Sequence, residues 1–413
     1  MDDLERTLRR YPIYQALRGL LFWQPMFLLF FAARVRPDEA LLLVAAYDLS
    51  CVLLEVPSGY LADAVGRRFT LLLSAGASAL GAGVIALGDG LPALLAGQAL
   101  LGAAAAFNSG SDVALLWETL AALGREGEFA ARDAAARRLL LVGLGASALA
   151  GGLLASIDDR LPYLLTCLAA LGALAAAAAL REPPGARDAA RPLGQALRVV
   201  RAVRDPVLLW VLALWVGLTV LNHVPYAFLQ PYLQAVLRPF EVDAATPAAA
   251  GVVVAATMLL GGLALPFGVA LLRRLGGPAT LLLALVAQGA LVAAMSLGPH
   301  PFVVALLALR MVPEALASPV LGAVVHPRLD AGLRATYLSA QGLLGMLAFS
   351  GSLTLAALAV RGEADLDAPA LARVLPAYVA GGAALALLLA ATVRPVARRL
   401  AGDSPSVRVR HLA

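Results

Sequence analysis

Arg310 and Glu314 stand one helical turn apart inside the apolar run 301–325. An ionisable residue in such a run is costly and by default marks binding or ion chemistry. The two could neutralise each other, or hold a polar ligand and a proton on one helix face. Other polar groups are stranded in the same way. Asp48 and Glu55 lie a heptad apart in the run 40–62. Either could carry a proton, and Asp48 is the acid nearer the far end. Arg18 stands at the depth of Glu55 in the neighbouring run, so it either pairs with Glu55 or snorkels to the interface. Gln24 and Asn108 are mid-run amides. Asn222 and His223 precede Pro225. A histidine can hold a proton near neutral pH, or can be a satisfied packing residue. Asp112 sits in "NSGSDVALLWE", where it could bind a ligand, a cation or a proton, or serve the backbone and a nearby arginine.

The elements around these residues are hydrophobic. The chain of 413 residues is 61% hydrophobic and 14% charged. A soluble domain has roughly 45–50% apolar and about 25% charged residues. Lipid admits only helices and closed barrels. The runs are long, so they predict helices and an all-α integral membrane protein. Runs of about 20 residues cross a hydrocarbon core. Twelve are expected, at 12–33, 40–62, 69–88, 92–119, 138–157, 162–180, 206–229, 247–271, 278–297, 301–325, 336–360 and 373–394. The Pro- and Arg-rich segment 181–205 divides them six and six. The expected organisation is a bundle over 1–180, a central loop over 181–205, a second bundle over 206–394 and a tail over 395–413.

All 32 basic residues are arginine. Most fall at one membrane side, in the N-terminal segment, the central loop, the tail and alternate short loops. Only Arg34, Arg36, Arg160, Arg238, Arg361 and Arg373 fall opposite. The positive-inside rule therefore places both termini in the cytoplasm. It also accounts for the basic net charge with no nucleic acid. Cys51 and Cys167 form no ligand spacing, and the four histidines are scattered. No phosphate loop, nucleotide fingerprint, metal cluster or nucleophile elbow is present. The expectation is a protein that is no enzyme and needs no cofactor or metal, with no removable signal at its N-terminus.

The most polar stretch is "EVPSGYLADAVGRR", Glu55 to Arg68, where the second run ends. Shifted by 209 residues it faces a second copy, with Pro57 on Pro266 and Gly59 on Gly268. The copy has Leu272 where the first has Asp63. Parallel repeats of six spans are a transporter architecture. The segment Gly59-Tyr-Leu-Ala-Asp63-Ala-Val-Gly66-Arg67-Arg68 resembles the loop signature of the major facilitator superfamily, between its second and third spans. Glu55-Val-Pro57 resembles a variant among bacterial members, and Arg334-Ala-Thr336-Tyr-Leu-Ser339 also resembles the family.

The resemblance implies two pseudo-symmetric six-helix bundles in a bacterial inner membrane. It also implies alternating access driven by gradients, with spans 1, 4, 7 and 10 lining the path. Gly59 would admit a neighbouring helix, and Gly66 a tight turn. Asp63 would face the start of the eleventh span near Thr336. Arg67, beside Arg68, would pair with Glu118, or secondarily with Asp112, to close the cytoplasmic side. Arg67 and Arg68 could equally serve topology alone. Two departures stand out. Gln98 replaces an arginine common in the fourth span of exporters, and Ser147-Ala148 replaces the Gly-Pro of drug antiporters. The leading functional expectation is proton-linked export of a small molecule, with Asp48, Glu55 and Glu314 as proton carriers. Arg18, Gln24, Asn108, Asp112, Asn222, His223, Arg310 and Glu314 are the substrate-binding candidates. The alternative is transport of an organic or inorganic anion held by Arg18 and Arg310. A non-transporting sensor or scaffold is a remote third. The expected partners are a small-molecule substrate, H+ and the bilayer, with the protein a monomer.

Overall fold

Asp205 and Pro206 show how the apolar runs become helices. Pro206 occupies the first helical position, where its missing N–H costs nothing. The Asp205 carboxylate accepts from the N–H groups of Val207 at 2.7 Å and Leu208 at 3.3 Å. That arrangement satisfies donors that a helix start leaves orphaned. The same logic opens the helix at Pro37, where the Arg36 N–H donates to Glu39 at 3.1 Å.

The computed structural model describes residues 2–183, 205–325, 328–329 and 331–402. Among them are sixteen α-helices and no strand. They are α1 (Asp2–Arg18), α2 (Phe27–Ala32), α3 (Pro37–Ala64), α4 (Arg67–Leu87), α5 (Gly90–Asn108), α6 (Ser111–Ala122), α7 (Phe129–Ala155) and α8 (Leu161–Ala178). They continue with α9 (Pro206–Ala227), α10 (Leu229–Leu237), α11 (Thr246–Leu275), α12 (Gly277–Ser296), α13 (Pro301–Leu307), α14 (Met311–Val325), α15 (Ala331–Ala359) and α16 (Ala368–Gly402). Most of the expected central loop and the end of the tail lie outside the described residues.

Among the described residues, eleven helical segments are long and apolar enough to cross a membrane. The first expected span, 12–33, is not one of them. It falls on α1, an irregular stretch and the short α2. The reason is tertiary. Gly19 sits against the Leu140 backbone oxygen, and the chain after it leaves helical geometry. Three further spans are interrupted: the fourth at Ser109–Gly110, the seventh at Phe228 and the tenth at Ala308–Arg310. The breaks thus recur at every third span, 1, 4, 7 and 10.

Two compact units arise. The first comprises Met1–Pro192, Leu233–Ala256 and Leu353–Leu366, and the second Leu193–Tyr232, Thr257–Ser352 and Asp367–Ala413. In the first unit α3, α4, α5 and α8 pack as neighbours, with α1 and α7 alongside. The glycines of α7 and of the start of α11 meet backbone to backbone, at Gly152 against Pro247 and Gly251 against Ala148. Small residues are what allow such approach between membrane helices. In the second unit α9, α12, α14 and α16 pack together. Trp210 Nε1 donates to the Leu389 carbonyl at 3.1 Å, and the Tyr337 hydroxyl to the Leu208 carbonyl at 2.7 Å.

The internal repeat extends into the backbone. Gly66 precedes α4 with φ 131°, and Gly276 precedes α12 with φ 79°. Both values favour glycine. The 209-residue shift that aligns Pro57 with Pro266 becomes 210 at these turns, so the second copy carries one extra residue at the end of α11.

Candidate functional site

A broken helix frees backbone groups that must find partners where no water can reach them. The break after α1 meets this demand with side chains. The N–H of Leu21 donates to Ser147 Oγ at 3.1 Å, and that of Phe22 to Thr166 Oγ1 at 3.1 Å. Ser147 stands where the antiporter signature has its Gly-Pro. Here its buried hydroxyl holds the first span open.

Arg18, the last residue of α1, is positioned by that break. Its Nε donates to Gln15 Oε1 at 2.6 Å and its Nη2 contacts Asp112 Oδ2 at 3.2 Å. Gln15 Nε2 also donates to Asp112, at 2.7 Å, and to the Tyr11 hydroxyl at 2.7 Å. Asp112 reaches this network because the turn at Gly110, with φ 72°, restarts the helix and sets Asp112 in the first turn of α6. An acid there is favoured by the helix dipole. Asn108 ends α5. With its amide oxygen toward Arg18 it accepts from Nη1 at 2.9 Å, and its amide nitrogen donates to the Tyr14 hydroxyl at 2.7 Å.

The expected Glu55–Arg18 pair does not form. Arg18 goes to Asp112, and Glu55 accepts from Ser109 Oγ at 2.8 Å. The break between α5 and α6 is the cause, since it presents Ser109 to one acid and Asp112 to the arginine. Gln24 lies in the irregular stretch between α1 and α2. Arg18, Asn108 and Tyr14 line a cavity of about 170 Å³ with Trp23, Tyr47 and Thr166.

Asp48 is buried in α3, 7% exposed. No hydrogen bond or ion pair reaches it among the described residues, unlike Asp112 and Glu314.

The second unit has its own polar cluster at the break between α13 and α14. Arg310 Nη1 donates to Asn222 Oδ1 at 3.2 Å, and its guanidinium lies 5.0 Å over the Tyr226 ring. A cation over an aromatic face is attracted by the ring quadrupole. Asn222 Nδ2 donates to Glu314. Arg310 and Glu314 therefore make no direct ion pair, and one buried amide mediates between them. His223 turns to another side, with Nδ1 2.8 Å from the Thr219 carbonyl and its ring 5.1 Å from Phe349.

The loop after α3 forms a third cluster. Asp63 contacts Arg67 at 2.6 Å, and Arg67 Nε contacts Glu118 Oε1 at 3.2 Å. Arg68 donates to the Ala178 carbonyl at 2.8 Å. Glu182, which sequence reasoning passed over, accepts from the Arg67 backbone N–H at 2.5 Å and so caps α4. A Cβ on Gly66 would collide with that carboxylate. Among the described residues, no atom stands within 4 Å of where a Cβ on Gly59 would be. Its counterpart Gly268 makes the close approach instead, with the Leu316 carbonyl 2.5 Å from the Cβ position. The side chains at the start of the eleventh span, the end that Asp63 was expected to face, lie outside the described residues as far as Thr336.

The structure thus gathers Arg18, Asn108 and Asp112 in one network, Asn222, Arg310 and Glu314 in another, and Asp63, Arg67 and Glu118 in a third. Gln15, Tyr14, Trp23, Thr166 and Glu182 were missed, and Ser147 stood out only as a departure from the family signature. Hydroxyls, amides and rings are common in any helix, and Glu182 lies in a polar loop, so only the partner identifies them.

An all-helical chain with internal repeats, interrupted helices and polar clusters at the interruptions is built as a secondary transporter is. The sequence profile of the Major Facilitator Superfamily matches residues 17–353, and the chain belongs to that family. It is accordingly a multi-pass membrane protein that moves small molecules, a secondary transporter rather than an enzyme. Its fold resembles the crystal structure of the nucleoside transporter NupG at 13% identity, with TM-score 0.75 over 95% of this chain and 99% of that one. It resembles the peptide transporter POT at 13% identity, with TM-score 0.71 over 96% and 95%. It also resembles a bacterial homolog of the human lysosomal transporter Spinster, inward-facing and unoccupied, at 16% identity, with TM-score 0.69 over 97% and 98%. No curated protein matches the chain in sequence.

Proposed function

We propose that the protein exports a small molecule across a bacterial inner membrane in exchange for protons, by alternating access between two six-helix halves. The observation that carries this reading is the isolation of Asp48. Moving an unpaired carboxylate anion out of water is costly, and taking up a proton removes the cost. The other buried acids have partners that hold them: Asp112 has Arg18 and Gln15, and Glu314 has Asn222. Asp48 is therefore the proton carrier, and Glu314, coupled through Asn222 to Arg310, links protonation to the second unit. Asp63, Arg67 and Glu118 form the cytoplasmic latch, with Glu182 as its brace.

The test is pH-gradient-driven flux in proteoliposomes. Substrate is first found by thermal-shift screening of the purified protein against drugs, sugars, amino acids and organic anions. Asp48→Asn should abolish the pH-driven component while retaining exchange of substrate for substrate. Asp48→Glu should keep both. Undiminished pH-driven flux in Asp48→Asn would remove the proposal's basis. A second reading, transport of a polar anion, is favoured by Arg18, whose guanidinium lines the cavity of the first unit.

A further inference from the structure

The cavity of the first unit is lined by α1, the stretch after it, α3, α4, α5 and α8, all within one unit. Its volume of about 170 Å³ is close to the roughly 150 Å³ in which an apolar protein cavity holds a benzene ring. The lining mixes two chemistries. Trp23, Tyr47, Leu21 and Leu101 supply aromatic and aliphatic surface, and Arg18, Asn108 and Tyr14 supply polar groups.

The lining also carries donors. The Trp23 indole N–H is buried and has no hydrogen-bond partner, although burying such a donor unsatisfied is costly. Trp23 itself is only 7% exposed, so the group is part of a built wall. A guanidinium has five N–H donors. Gln15, Asp112 and Asn108 engage Nε, Nη2 and one hydrogen of Nη1, which leaves a second Nη1 hydrogen. Arg18 lines the cavity and Asp112 does not, so the nearer charge facing a ligand is positive. Charge-assisted hydrogen bonds to a carboxylate are roughly twice as strong as neutral ones. The ring of Trp23 lies 6.2 Å from that of Tyr47, supplying flat apolar surface.

We infer that this cavity binds a single-ring aromatic carboxylate, with its ring against Trp23 and Tyr47 and its carboxylate on Arg18. The inference deepens the transport reading, taking from it that the chain carries a small molecule. It assigns the class of cargo. Binding is read without flux, so the two can fail separately.

The experiment is isothermal titration of the purified full-length protein with benzoate, benzamide, benzylamine and acetate. Benzoate should bind saturably, and the other three should bind at least about tenfold more weakly, a difference of about 1.4 kcal/mol. Trp23→Phe removes the free donor and keeps the ring. Ala105→Leu fills the cavity from α5. Each should weaken benzoate by about tenfold or more. Trp117→Phe, outside the cavity, should not change it. Arg18→Gln should remove the preference for benzoate over benzamide, and if that variant does not fold, Ala105→Leu still decides. The inference is overturned by no saturable benzoate signal up to about 10 mM, by benzylamine binding as well as benzoate, or by benzoate affinity unaltered in both Trp23→Phe and Ala105→Leu.

Discussion

Removing the Asp112 carboxylate strips two side-chain donors at once. Gln15 Nε2 loses an acceptor at 2.7 Å and Arg18 Nη2 loses one at 3.2 Å. Interhelical hydrogen bonds in membrane proteins average about 0.6 kcal/mol and reach about 1.7. Breaking a fully buried ion pair costs about 3–5 kcal/mol, because a charge is left behind. The Arg18 side chain is 28% exposed and that of Asp112 6%, so the upper range is discounted for solvent screening. Asp112→Ala should then cost about 2–3 kcal/mol, read by SDS titration of the protein in mixed micelles. The decisive form is a double-mutant cycle with Asp112→Leu and Arg18→Leu. Each single variant strands the other charge, and the double strands neither. The double should therefore lose less than the two singles combined, by about 1–2 kcal/mol. Additivity within about 0.5 kcal/mol would refute the reasoning, since the network would then contain no coupled pair.

Three other outcomes follow from the same geometry. Gly66→Ala should destabilise by about 2 kcal/mol or more in the same titration, through its left-handed φ and collision with Glu182, whereas Gly59→Ala should stay within about 0.5 kcal/mol. Asn222→Leu should cost about 3 kcal/mol, because it takes hydrogen bonds from both Arg310 and Glu314, and adding Glu314→Gln should recover part of that loss. Asp205→Ala should cost about 1 kcal/mol as the loss of a half-buried cap, visible as faster amide exchange at Val207 and Leu208.

Much of the fold could be read in the sequence because hydropathy reports helix length directly. The runs beginning at 40, 69, 162, 206, 247 and 278 match helices beginning at Pro37, Arg67, Leu161, Pro206, Thr246 and Gly277. The interruption of the first span was not read. Hydropathy averages over the irregular stretch 19–26, where Gly19 and Pro25 disfavour a helix without marking where it breaks. What breaks it is tertiary: the Leu140 backbone against Gly19, and the hydroxyls of Ser147 and Thr166 taking up the freed N–H groups. The ionisable candidates were visible because charges are rare in such runs. Their partners were not. Depth alone suggested Arg18 with Glu55, but a helix restart one turn away gave Arg18 to Asp112. Arg310 and Glu314 share a face as their spacing requires, yet the amide that joins them comes from α9, more than eighty residues away. Gly59 and Gly268 look equivalent in sequence, and only packing shows that the second makes the close contact.

Substrate and proton moving in opposite directions give a proton signal of fixed sign. Proteoliposomes are loaded with a pH-sensitive dye, and a compound that stabilises the protein in thermal-shift screening is added outside. Exchange would carry protons out as substrate enters, whatever the orientation of each molecule. The account predicts alkalinisation of the lumen, absent in Asp48→Asn. Acidification of the lumen, or an equal response in Asp48→Asn, would contradict it.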